Sequence, residues 1–187
     1  ITMDNIDIFE YIKNPAIALH VLSVVLGMGS ALVSDILFNF FSKDKKLDAT
    51  EITTLSILKN IVFYSLIVIV ISGGTIFLSD IEKYTSSSKF MAKMSILLIL
   101  LVNGYVLNKY IWPRMLGEGF FTSVAERNTR RVAFACGAVS VISWIAVCTL
   151  GVLNRLAMSY QFIMLSYLGI ILFGVIVALI IEKREMN

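Results

Sequence analysis

Asp35, with Ser34 beside it, interrupts a run of apolar residues, and Lys59, Asn60 and Asn103 interrupt two other such runs. If these runs are helices in lipid, each group is expensive. A charge at the centre of a bilayer costs roughly 2.5–3.5 kcal/mol on insertion scales. Asp35 and Lys59 are expected at similar depth near one end of the bundle, as a buried ion pair supported by Asn60 and Asn103. Such a cluster suits a proton or cation relay, because a low dielectric penalises the charged form of a carboxyl. It equally suits a structural pair that locks two helices.

A second group of polar and soft side chains falls toward the other end. His20 is the single histidine in the chain, about five residues into the first apolar run. Lys93 lies at a comparable depth in the third run, between Met91 and Met94, and Met164 does so in the fifth, near Tyr160, Gln161 and Tyr167. Imidazole with thioether sulfur suits copper(I), or a haem iron such as haem b with His and Met as axial ligands. Met91 and Met94 are three residues apart and share one helical face. Methionine is also a common packing residue, and the Lys93 ammonium repels a bound cation. A hydrogen-bonded structural histidine, or a polar cavity shaped by His20 and Lys93, are the other readings.

These residues are carried by five long apolar stretches, at about 16–41, 53–78, 90–112, 132–153 and 160–181. A membrane-crossing helix needs about 20 predominantly apolar residues. The chain of 187 residues is 58% hydrophobic and 16% charged, against roughly 45–50% and about 25% in soluble domains. The expected fold is therefore all-α: a five-transmembrane-helix bundle over residues 15–187, preceded by a short amphipathic segment over 1–14. Ile1, Ile6, Phe9 and Ile12 supply the apolar face of that segment, and such a segment lies on the membrane surface. Met3 offers a native start, with residues 1 and 2 outside it, and the acidic flank of the first residues argues against a cleavable signal peptide.

The basic residues give an orientation. Lys13, Lys83, Lys89 and Arg155 fall on one side, against Lys43, Lys45, Lys46, Lys109, Arg114, Arg127, Arg130, Arg131, Lys183 and Arg184 on the other. Cytoplasmic loops retain the positive charge, which puts the N-terminus outside and the C-terminus in the cytoplasm. Pro15 is expected in the first turn of the first span, Thr50 with Glu51 or Thr53 at the start of the second, and the serines ending at Ser88 as caps of the third. Pro113 is expected to stop the third helix, with Gly117 and Gly119 loosening the connection to the fourth. Phe120, Phe121 and Val124 are expected on the inner membrane surface. Gly27 with Ala31, Ser30 with Ser34, Ala133 with Gly137, and Gly174 with Ala178 are small residues four apart, which let helices approach closely in lipid. They serve either to close this bundle or to form a homo-oligomer.

Several classes are excluded. There is no Walker loop, no HExxH and no serine-hydrolase pattern, and Gly27-Met28-Gly29 lacks the third glycine and preceding strand of a nucleotide loop. No basic stripe with stacking aromatics points to nucleic acid. Cys136 and Cys148 are twelve apart in one helix, about 18 Å at 1.5 Å per residue, too far to pair.

Leu19-His20, Gly27-Met28-Gly29 and Val33 to Phe38, together with Lys89 to Met94 and Arg131 to Ala138 with Ser140, Ser143 and Trp144, resemble a family of small bacterial polytopic inner-membrane proteins with no assigned activity. The resemblance covers nearly all of the chain after Pro15. It implies one domain in a bacterial inner membrane and draws attention to His20, Asp35 and Lys93, but it implies no reaction. Leu19-His20 alone also resembles the first helix of copper-resistance and cytochrome-type membrane domains. The expectation is an integral membrane protein with an intramembrane polar pathway for a proton, ion or small solute. A haem- or copper-binding redox protein and an accessory subunit without chemistry are the alternatives.

Overall fold

A computed structural model describes residues 4–117, 120–153 and 158–186, with side chains described from residue 11 onward except those of residues 44, 185 and 186. Gly119 and Arg155 lie outside the described residues, as do residues 1–3. The protein is all-helical, with no strand among the described residues. Helices α1 (Asp4–Phe41), α2 (Ala49–Leu78), α4 (Ser88–Val106), α6 (Arg127–Val152) and α7 (Tyr160–Met186) form the bundle. The short α3 (Ile81–Thr85) links α2 to α4, and α4 is extended by a π turn (Leu107–Ile111) and α5 (Trp112–Met115). Among the described residues, five helices are thus long and apolar enough to cross a bilayer. Helix α6 is central, packing on α1, α4 and α7, while α2 lies along α1.

The outer surface explains the composition. Leu22, Val25, Ile71, Leu98, Leu165, Leu172 and Phe173 are all more than half exposed, in a continuous apolar coat far larger than a water-facing surface carries. Inside, three apolar clusters stack along the bundle. Leu55, Ile111, Met115, Phe120, Phe121 and Ala133 fill the end where the chain finishes. Ala31, Leu66, Ile69, Leu100 and Trp144 fill the middle. Ala92, Ile96, Leu150, Ile163 and Tyr167 pack between α4, α6 and α7.

Small residues close these contacts. A Cβ on Gly27 would stand 2.6 Å from Trp144 Cη2 and 3.0 Å from Ser65 Cβ, so α1 meets α2 and α6 there only because the side chain is absent. Gly174 is similarly pressed by Ile142 of α6. Ser143 Oγ and Tyr167 OH, 2.8 Å apart, tie α6 to α7.

Several boundaries differ from expectation, each for a local reason. Helix α1 runs without a break from Asp4 through Pro15, so Pro15 is not in its first turn and the 1–14 segment is not separate from the span in its helical part. The second helix starts earlier than Thr50, because Asp48 makes a reciprocal capping box with Glu51: Glu51 N–H donates to Asp48 Oδ1 at 2.7 Å and Asp48 N–H to Glu51 Oε2 at 2.9 Å. Such a box satisfies two otherwise orphaned donors. Ser87 caps α4 as expected, accepting from Phe90 N–H at 3.3 Å.

Pro113 does not stop its helix. The π turn before it sends Trp112 N–H back to the Leu107 carbonyl, and proline falls in the first turn of α5, where its missing N–H is no loss. Phe120 and Phe121 are not on the membrane surface but buried, at 2% and 5% exposure, with Val124 alone projecting outward. Arg130 holds their loop inward, donating from Nη1 to the carbonyls of Phe120 and Ser123 at 2.7 and 2.9 Å.

Candidate functional site

Asp35 lies on the face of α1 turned toward α6. A Cβ on Gly137 would be 3.3 Å from Asp35 Oδ1, so the carboxyl rests on the α6 backbone. Six residues separate Asp35 from the end of α1 at Phe41, a depth of about 9 Å at 1.5 Å per residue. Asp35 Oδ2 is buried and has no hydrogen-bond partner among the described residues. One residue along α6, the Cys136 carbonyl accepts from Asn103 Nδ2 at 3.0 Å, which fixes α4 against α6 beside the carboxyl. On the other side, one turn further along α1, Phe38 packs against Phe121 and Phe134 with ring centroids 5.9 and 5.8 Å away.

The expected Asp35–Lys59 pair is not formed. Lys59 Nζ donates to Asn108 Oδ1 at 3.2 Å and sits 4.4 Å from the centroid of the Trp112 ring. The π turn accounts for this by bringing Asn108 and Trp112 toward α2, where they offer the ammonium an amide oxygen and an aromatic face. Asn60 is exposed on the outer side of α2, away from the carboxyl, and Ser34 is half-buried beside it. Of the expected cluster, then, Asp35 and Asn103 both meet the Cys136–Gly137 stretch of α6, while Lys59 and Asn60 do not join them.

The second group forms in part. His20 Nδ1 and Ser72 Oγ are 3.0 Å apart, and a Cβ on Gly73 would be 3.3 Å from His20 Cε1. Glycine at position 73 therefore lets the Cε1–Nδ1 edge of the imidazole approach α2 closely, and Ser72 partners its ring nitrogen. Lys93 lies within Coulombic reach of the ring, and Lys89, one turn before it, donates to the Leu153 carbonyl. Met91 and Met94 are about half exposed on the outer face of α4. Met164 packs on the cluster of Ala92, Ile96 and Ile163. The described residues hold no group of three or more His, Cys, Asp or Glu suited to a metal. Tyr160 OH meets Ser95 Oγ at 3.0 Å instead, and both cysteines are free.

His20 and Asp35 are fifteen residues apart on α1, about 22 Å along the axis. Between them lies the middle apolar cluster, with Trp144 at 1% exposure and its Nε1 without a hydrogen-bond partner among the described residues. Ser23, Ser65, Ser140 and Ser143 are buried around that level. In sequence Trp144 stood out only among the residues that carry the resemblance; its place in the middle cluster comes from Gly27, whose missing side chain makes room for the indole. Glu182 was not legible at all. It is 2% exposed, with Arg130 Nε 3.9 Å from Oε1 and Arg131 Nε 3.6 Å from Oε2. In the sequence it is one of two acids, with Glu185, that flank Lys183 and Arg184, and nothing there marks it as the buried one.

No family model matches the chain, and neither a curated protein nor a solved structure is similar enough to count as a relative.

Proposed function

We propose that the bundle conducts protons, or couples a small solute to them, with Asp35 as the group that takes up and releases the proton. The observation that carries this is the Asp35 carboxyl, buried on the Gly137 backbone with Oδ2 unpartnered and no cation paired with it among the described residues. A buried carboxylate without compensation is costly, and a structural role would be better served by a partner. His20, bonded to Ser72 and close to Lys93, is the polar station toward the other end. Trp144 and its apolar neighbours separate the two stations, so passage requires that layer to open. In this reading the protein is a multi-pass protein of a bacterial inner membrane, with its N-terminus outside and its C-terminus in the cytoplasm. The positive charge on the Arg130–Arg184 end supports that orientation.

The test is proton entry into liposomes driven by a potassium diffusion potential and followed with an internal pH dye. Wild-type protein should acidify the interior, and Asp35→Asn, which keeps shape and volume, should not. Equal acidification by the two proteins sinks the proposal, as does no acidification above empty liposomes by folded wild-type protein.

A further inference from the structure

We propose that a basic cavity at the end of the bundle where the chain finishes binds a phosphate-type anion, independently of the role of Asp35. The cavity measures about 350 Å³ and is lined by Lys45, Arg127, Arg130 and Lys183, with Glu182 and Phe121. Each cation is delivered by a different turn of the fold. Lys45 comes directly after the 3-10 turn at the end of α1, held there by a left-handed backbone (φ 55°). Arg127 opens α6, Arg130 lies one turn later, and Lys183 is in the last turn of α7.

Four cations facing one space repel each other unless something negative offsets them. Glu182 is the single carboxylate among the described lining residues, and it already lies between Arg130 and Arg131 at 3.9 and 3.6 Å. Arg130 is 5% exposed, and its guanidinium is fixed by the Phe120 and Ser123 carbonyls. Its Nε still has no hydrogen-bond acceptor among the described residues. A buried, immobilised guanidinium ringed by the exposed cations of Lys45, Arg127 and Lys183 matches the oxygens of a phosphate. The cavity lies at the level of the span ends, where lipid headgroups sit, so the phosphate belongs either to an anionic lipid or to a soluble compound.

The experiment uses the whole chain in a neutral detergent and reads its melting temperature, since a ligand that binds only the folded state raises it. The probes are inorganic phosphate, and phosphatidylglycerol added to the micelles. The controls are chloride at matched ionic strength, and phosphatidylcholine, whose choline masks the phosphate charge. A saturable rise with inorganic phosphate assigns a soluble ligand; a rise with phosphatidylglycerol alone assigns a lipid headgroup; either supports the proposal. The exposed pair Arg127→Gln/Lys183→Gln should weaken the apparent affinity about tenfold or more, whereas Lys43→Gln/Lys46→Gln, at the same end but outside the lining, should not. If the first pair fails to fold, Lys45→Gln gives the same comparison. The proposal is overturned if neither probe gives a saturable rise, or if the cavity and control variants respond alike.

Discussion

Asp35 of α1 and Gly137 of α6 are in direct contact: a Cβ at Gly137 would come to 3.3 Å from the carboxyl oxygen Oδ1. Any side chain longer than alanine must displace the carboxyl or separate the helices. Gly137→Leu should therefore lower stability by about 1–3 kcal/mol through overpacking and abolish proton entry. Asp35→Asn should abolish entry while leaving the melting temperature close to wild type. Thermal unfolding in detergent, run beside the flux assay, separates the two effects. Full proton entry in folded Gly137→Leu would contradict the arrangement.

His20 and Ser72 make a single bond between α1 and α2. Ser72→Ala removes the partner of a ring nitrogen in a low-dielectric setting, and an unsatisfied buried group costs about 1–3 kcal/mol. A matching fall in unfolding free energy is expected, with Ser72→Thr retaining most of it. Unfolding indistinguishable from wild type in Ser72→Ala would show that the bond contributes nothing.

Trp144 fills the space left by Gly27. Gly27→Ala places a methyl 2.6 Å from the indole and should destabilise by about 1–3 kcal/mol. Gly29→Ala, whose Cβ meets nothing within 4 Å, should leave the melting temperature unchanged or raise it. Trp144→Ala should cost about 3–5 kcal/mol and, where it folds, raise the basal proton leak by opening the apolar layer. Identical behaviour of the two glycine variants would remove the packing argument.

Glu182 stands between Arg130 and Arg131. Glu182→Gln leaves Arg130 buried without its counter-charge, and breaking a buried pair in this way costs about 3–5 kcal/mol. A sharp fall in melting temperature is expected, together with faster proteolysis of the Leu116–Arg127 connection that Arg130 holds. A change under about 1 kcal/mol, the range of exposed pairs, would assign Glu182 a surface role.

The five spans were legible because lipid leaves a one-dimensional record: about 20 apolar residues in a row, whatever the neighbours. The depth of His20, Asp35, Lys93 and Asn103 came from the same count. Their partners did not, because partnership depends on rotation about each helix axis, which an all-round apolar helix such as α7 hardly encodes. Lys59 went to Asn108 and Trp112 through a π turn with no sequence signature. Phe120 and Phe121 read as surface residues because their burial depends on Arg130, a long-range hydrogen-bonding residue that composition marks only as charge. Gly27 and Gly137 were noticed as small, but only the assembled helices show that they, with Gly73, make room for Trp144, Asp35 and His20.

The account rests on a proton that Asp35 gains and loses at depth, and infrared difference spectroscopy of the protein in lipid reads this at the carboxyl itself. As the buffer is stepped from acid to alkaline, the account predicts a protonated-carboxyl C=O band that disappears reversibly and is missing in Asp35→Asn. A set of carboxyl bands identical in wild type and Asp35→Asn across the whole range would contradict it.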